Sequence, residues 1–151
     1  MAGDVNEDAV IEAAKHELNQ CGRLMRTAGK RMSELKSPVF DAQPKSPSYS
    51  NHVEERMAKR LDAENELRDI LLAISLCDNR SKSILFKLYV DPDEPNDIEV
   101  MTECGLSESP YYKYKKRALY RFAEGFRFGL LFEEAENEET FNRQSGDYQQ
   151  A

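Results

Sequence analysis

Apolar residues recur at helical spacing over the first third of the chain. Separated alternately by three and four residues, they are Ile11, Ala14, Leu18, Cys21, Met25, Ala28, Met32 and Leu35. This alternation keeps them on one face of an α-helix and, over more than three heptads, is typical of a coiled coil. Asn6, followed by acidic Glu7 and Asp8, predicts the start of the helix. Two interpretations stay open: an amphipathic helix on its own domain, or a homodimer seam.

Residues 37–51, SPVFDAQPKSPSYSN, break this pattern with three prolines and four serines. Proline removes a backbone donor and moves the preceding residue out of the helical region, so the segment predicts a linker. Beyond it, apolar spacing predicts a long helix from about His52 to Cys77. A shorter helix is predicted from Arg80 to Tyr89, followed by the polar turn DPDEPND.

The last third predicts two helices with a tight joint between them. Asp97 is the expected cap of the first, and Gly105 stands where a left-handed residue ends a helix. Ser107 or Ser109 is the expected cap of the second helix. Together they predict a helix-turn-helix at about residues 97–127. The apolar side of its second helix consists of Tyr111, Tyr114, Ala118, Leu119 and Phe122.

These segments predict an all-α protein with a long N-terminal helix and a helical bundle that ends in a helix-turn-helix. The predicted organisation is residues 1–36 for the heptad helix, 37–51 for the linker and 52–132 for the helical domain. Residues 133–151 carry six acids and one base, and are expected to form a disordered acidic tail.

The distribution of charge changes the interpretation of the second helix. The 151-residue chain has a net charge of −7 and a pI near 5.0, which argues against non-specific coating of nucleic acid by the whole surface. Between Ser107 and Arg127, however, six cations face only two anions. Salt confines charge effects to about 8 Å at physiological ionic strength, so a local basic surface can act independently of the acidic remainder.

The sequence contains no motif that is typical of an enzyme active site. The three cysteines are far apart, no CxxC occurs, and only two histidines are present, so no metal site is predicted. A nucleophile motif and a glycine-rich phosphate loop are also lacking, and no cofactor is expected. Without a signal peptide or an apolar run of about 18 residues, the sequence predicts a cytoplasmic protein that makes no membrane contact.

The basic helix is the remaining candidate for function, as a DNA recognition helix. Its exposed early positions would meet base edges in the major groove, and later cations would meet phosphates. Ser109, Tyr112 and Lys113 are the predicted base readers. The full set of predicted DNA-binding residues is Ser107, Ser109, Tyr112, Lys113, Lys115, Lys116, Arg117 and Arg121. The alternative is that the cations only keep a packed helix soluble.

Three stretches resemble the ArpU-like family of phage and prophage transcriptional regulators, which are similar in kind to RinA-type late activators. They are SPVFDAQPKSPSYSNHVEERM, LRDILLAIS and GLSESPYYKYKKRALYRFAE, in the family's order. The resemblance covers roughly residues 15–127. Ser107 to Leu119 is also similar to the last helix-turn-helix of sigma factors, region 4. One departure is Pro110, at a position where sigma-like helices often present a polar residue to DNA.

This resemblance implies that the protein binds double-stranded DNA at promoters in the bacterial cytoplasm. It further implies activation of late phage genes and contact with the host RNA polymerase. Two alternatives stay open: a coiled-coil adaptor whose basic helix binds an acidic protein, and a small terminase-like protein that recognises a packaging site. Salt-dependent affinity for duplex DNA separates the adaptor from both DNA-binding interpretations.

Overall fold

The computed structural model describes residues 6–29 and 50–147, and within these ranges it contains helices and no strand. The helices are α1 Glu7–Leu18, α2 Cys21–Ala28, α3 Ser50–Ser75, α4 Asn79–Leu85, α5 Asp97–Cys104, α6 Glu108–Gly125 and α7 Leu130–Asp147. A π-helical turn, Phe86–Val90, follows α4, and a 3-10 turn, Phe126–Gly129, joins α6 to α7. The predicted all-α class is confirmed. None of these helices is long and apolar enough to cross a membrane.

The predicted N-terminal heptad helix is divided in two. Asn6 caps α1 as expected, accepting a hydrogen bond from the backbone N–H of Asp8 at 3.0 Å. A turn at Asn19 and Gln20 then separates α1, which packs on α6 and α7, from α2, which packs on α3. Gly29, with φ +66°, ends α2. The expectation of one continuous long helix is therefore wrong for the described residues, because α1 and α2 pack against different helices.

The heptad positions that the structure describes face the interior of the same chain. Ile11, Ala14, Leu18, Cys21 and Ala28 are all buried in the main hydrophobic core. A coiled coil through these positions would require α1 and α2 to leave that core, so they form an internal packing face. The last two heptad residues and residues 37–49 of the predicted linker lie outside the described residues.

The main core lies where α3 and α6 meet the N-terminal helices. α3 contributes Leu67 and Ile70, and α6 contributes Phe122, which stacks on Phe126 of the 3-10 turn at 5.4 Å between ring centroids. Burying an aliphatic or aromatic side chain of this kind stabilises the fold by about 1.5 to 3 kcal/mol. α6 is thus held firmly along one side, and its other side is left for the charged residues.

The segment expected to be a disordered tail is helical as far as Asp147. Leu131 and Ala135 of α7 are buried in the core against α1, and the ring of Phe132 meets Tyr120 edge-on at 5.4 Å. The acidic composition led to the expectation of disorder, although these apolar residues share one face at helical spacing. Their burial explains why the acidic segment folds, and Glu133, Glu134 and Glu138 are exposed on its other side.

Candidate nucleic-acid interface

The joint between α5 and α6 is fixed by backbone geometry. Gly105 has φ +66°, its N–H donates to the carbonyl of Thr102 at 3.2 Å, and the N–H of Leu106 donates to the carbonyl of Met101 at 3.0 Å. This pair of bonds is a Schellman motif, which needs a left-handed residue at the position of the glycine. α6 then begins at Glu108, after Ser107 with an extended backbone. The predicted end of the first helix at Gly105 is confirmed.

A small second core holds α4, α5 and the start of α6 together. One buried residue comes from each helix: Ile84, Val100 and Tyr111. Tyr111 is fully buried, and Tyr114 packs at the edge of this core. α6 therefore spans two cores, because its first turns belong to the α4–α5 unit and its later turns to the main bundle.

Asp97 connects α5 to α6, a different role from the predicted cap. Asn96 caps α5 instead, accepting from the N–H of Glu99 at 2.9 Å. One oxygen of Asp97 accepts hydrogen bonds from the Tyr111 hydroxyl at 2.7 Å and from the Lys115 ammonium at 2.9 Å. Partial burial opposes ionisation of Asp97, but these two hydrogen bonds outweigh it and lower the pKa of its carboxyl.

The predicted DNA-binding residues separate into two groups. Lys115, only 16% exposed, and Arg121, whose guanidinium contacts Asp78 at 2.6 Å, are engaged with other helices. The remaining members are exposed: Ser107, Ser109, Tyr112, Lys113, Lys116 and Arg117. Within residues 6–29 and 50–147, Lys113 and Arg117 make no ion pair. We call these six exposed residues the basic face of α6.

Acids of neighbouring helices border the basic face on both sides. On the α1 side, Lys116 lies 3.7 Å from Asp8, with both side chains more than half exposed. On the other side, Arg121 contacts Asp78, which also caps α4. A hydrogen bond from the Ser81 hydroxyl, with further bonds from the Ser81 N–H and Arg121, lowers the pKa of Asp78 to about 2. Asp78 is therefore a carboxylate at neutral pH and holds Arg121 beside α4.

Arg80 of α4 is a cation near α6, although in the sequence it marks only the expected start of a helix. Its guanidinium carbon lies 4.7 Å from the centroid of the Tyr114 ring. A cation over an aromatic face is attracted by the ring quadrupole, so Tyr114 positions Arg80 beside α6. No spacing in the sequence connects residues 34 positions apart, and only the packing of α4 on α6 brings them together.

No metal site is visible in the part of the chain that the structure describes. It contains no group of three or more His, Cys, Asp or Glu side chains that could hold a metal ion. Burial raises the pKa of the Cys21 thiol to about 12, with a further contribution from Glu17 and Glu66. The Cys21 thiol is therefore protonated at neutral pH.

Comparison with known proteins finds a relative that is named as a regulatory protein. The chain is 32% identical over 118 residues to the Enterococcus hirae protein named "Putative autolysin regulatory protein ArpU". The match covers 78% of this chain and 86% of that protein. No family model matches the chain, and no solved structure matches it.

Proposed function

The chain belongs to the ArpU-like family of regulatory proteins, and from this premise we propose that it regulates transcription by binding a specific duplex DNA sequence through α6. It acts by binding rather than catalysis, in the cytoplasm of a bacterial host. The target we propose is the promoter region of late genes of a phage or prophage, where the protein activates transcription and contacts RNA polymerase. The name of the relative, an autolysin regulatory protein, agrees with lysis genes among these targets.

The observation that carries this proposal is the basic face of α6 on an otherwise acidic chain. Lys113 and Arg117 lie one helical turn apart and are exposed, and Lys116 stands beside them. Lysine and arginine side chains on one helix face neutralise phosphates and release counterions, which supplies most of the non-specific affinity for DNA. Concentrating cations here, when the net charge is −7, favours a defined polyanionic ligand.

The geometry supports distinct roles along α6. Ser109, Tyr112 and Lys113 occupy its first turns, the part of a recognition helix that reaches base edges. Lys116 and Arg117 follow as phosphate contacts, and Ser107 is free to meet a phosphate at the helix N-terminus, since its side chain makes no capping bond. Lys115 and Arg121 contribute indirectly, by holding α6 on α5 and α4.

The test of this proposal is a selection of random duplex DNA by the full chain, with binding repeated at two salt concentrations. We expect enrichment of a short motif and an affinity that falls steeply as salt rises. With about three phosphates neutralised, log K against log salt should have a slope near −3, since each phosphate contributes about −0.9. If no DNA motif is enriched and the affinity does not depend on salt, the result would support the adaptor alternative, in which the basic face binds an acidic protein.

Two variants of α6 separate base reading from phosphate contact. Lys116→Ala should weaken binding to all sequences alike and make the salt slope shallower by about 1. Lys113→Ala should cost about 1 to 3 kcal/mol on the selected motif and relax its base preference. Arg26→Ala, which removes an exposed cation from α2, is the matched control and should bind as the wild type does. If all three variants bound DNA with the same affinity and the same salt slope, α6 would not be the DNA-binding helix.

The genomic position of the selected motif distinguishes transcription from DNA packaging. A motif upstream of late or lytic genes, with increased transcript from a reporter carrying it, supports the activator. A motif confined to a packaging locus, with no effect on the reporter, would support the terminase-like alternative.

A further inference from the structure

α3 carries apolar residues on two opposite faces. One face supplies Leu67, Ile70 and Ile74 to the main core. On the opposite side a second row is exposed: Met57 at 52%, Leu61 at 46% and Leu72 at 57%, continued by Leu76 at 69% in the turn directly after α3. A helix of a globular protein normally has one apolar side and one polar side, so a second apolar row indicates another partner. We call these four residues the outer stripe of α3.

The outer stripe is symmetric about the middle of α3. Met57 and Leu61 precede a polar pair, Asn65 and Arg68, and Leu72 and Leu76 follow it at mirrored spacings. If a second α3 lies antiparallel across this surface, Met57 meets the partner's Leu76 and Leu61 meets the partner's Leu72. Asn65 then meets the partner's Arg68, a donor and an acceptor at the centre. A two-fold interface requires this self-complementarity.

A strained turn extends this surface beside the second half of α3. Arg127 and Phe128 have φ of +44° and +58°, a conformation that L-residues rarely adopt, and Arg127 bonds to Asp69 at 2.9 Å. The bond places the turn against α3, and Phe128 projects fully into solvent. Strained backbone conformations cluster at functional sites, so the exposed Phe128 ring is a candidate contact of this surface.

We propose that the outer stripe of α3 is the interface of a homodimer, with two antiparallel α3 helices related by a two-fold axis and the Phe128 ring of each copy at its edge. The interface is separate from the heptad positions, which the monomer buries. Met57 to Leu72 spans about 22 Å of helix, and Leu76 follows in the next turn. Because an interface of this length is small, we expect a weak dimer with a micromolar dissociation constant. The basic face of α6 shares no residue with this interface.

The test uses two single variants and their mixture, without DNA, so that its outcome is independent of the proposed function. Sedimentation equilibrium of the wild type should give a dimer at about 100 μM that dissociates on dilution. Leu61→Lys and Leu72→Glu should each weaken self-association at least about tenfold, because each homodimer gains two charges facing leucines. Mixing the two variants should restore a dimer, since the new lysine and the new glutamate then face each other once.

Two further results keep the proposal falsifiable. Ile98→Glu replaces an exposed apolar residue on α5, outside the outer stripe, and is the matched control. It should dimerise as the wild type does. Circular dichroism should show that every variant is folded. A monomeric wild type at about 100 μM, or a dimer that neither α3 variant weakens, would overturn the proposal. If the wild type is monomeric and both variants lose thermal stability, residues 30–49 of the same chain would be the occupant of the outer stripe.

Discussion

At the scale of single residues, the Asp97 carboxylate decides which cations of α6 are available to a ligand. Its oxygen receives both the Tyr111 hydroxyl and the Lys115 ammonium, and Lys115 is consequently withdrawn from the basic face. Lys116, the next residue along the chain, has only a solvent-exposed ion pair with Asp8. Two adjacent lysines therefore have different physical roles: one stabilises the α5–α6 joint, and the other is free to exchange its partner for a phosphate.

Lys115→Ala is expected to lower the free energy of unfolding by about 1 to 3 kcal/mol, because the half-buried Asp97 carboxylate loses its charged hydrogen-bond donor and keeps only the Tyr111 hydroxyl. The salt slope of DNA binding should not change. Lys116→Ala is the matched control and should show the reverse: a stability change below about 0.5 kcal/mol and a shallower salt slope. Urea unfolding and salt titration measure the two quantities. A shallower slope for Lys115→Ala would mean that the lysine leaves Asp97 to bind phosphate.

At the scale of elements, the turn between α5 and α6 sets the direction in which the basic face points. Its geometry depends on Gly105, whose positive φ places the N–H groups of Gly105 and Leu106 on the last carbonyls of α5. Space does not limit the side chain here, because a Cβ added at Gly105 would meet no atom within 4 Å. Only the backbone conformation selects glycine.

Gly105→Ala should therefore destabilise the protein by about 1 kcal/mol, the cost of a left-handed conformation for a residue with a Cβ. Gly105→Asn should cost less, since asparagine tolerates this conformation better. Thermal unfolding measures both variants, and the order Gly, Asn, Ala is the expected order of stability. Equal stability of the alanine and glycine proteins would show that the turn adopts another conformation in solution.

At the scale of the whole molecule, three glutamates come together from distant helices: Glu17 of α1, Glu66 of α3 and Glu134 of α7. Burial, a hydrogen bond with Glu66 and the negative charge of Glu66 raise the pKa of Glu17 to about 7, with Arg127 opposing and Glu134 adding to the shift. One oxygen of Glu17 is buried without a hydrogen-bond partner among the described residues. The folded protein thus binds a proton here that the unfolded chain, with a pKa near 4.5, releases.

The unfolding free energy should consequently depend on pH through Glu17. A raised folded-state pKa contributes stability that is complete below about pH 4.5 and is lost as the pH rises through about 7. Glu17→Gln should remove this loss and stabilise the protein at pH 8 by about 1 to 2 kcal/mol. Glu12→Gln, an exposed position on the same helix, should keep the wild-type pH dependence. If the unfolding free energy of all three proteins depended on pH in the same way, Glu17 would not have the raised pKa.

Much of the local structure follows from neighbouring residues alone. The Asn6 cap, the glycine after Cys104 and the buried positions Tyr111, Ala118 and Phe122 of α6 were predicted, because capping, left-handed backbone and helical periodicity depend on residues within a few positions. The all-α class followed from the same signals, and the family resemblance followed from short stretches. That α6 carries exposed cations was also predictable; its binding to DNA stays a prediction.

Only the tertiary structure decided how these elements use their surfaces. A heptad pattern fixes which residues share a face, but the partner of that face depends on α3 and α6. The heptad positions from Ile11 to Ala28 therefore lie in or against the core of the same chain. Lys115 and Arg121 were withdrawn from the basic face by Asp97 and Asp78, 18 and 43 positions away. The acidic α7 folded because α1 covers Leu131 and Ala135. Periodicity is local, whereas burial and ion pairing depend on which distant segments the fold brings together.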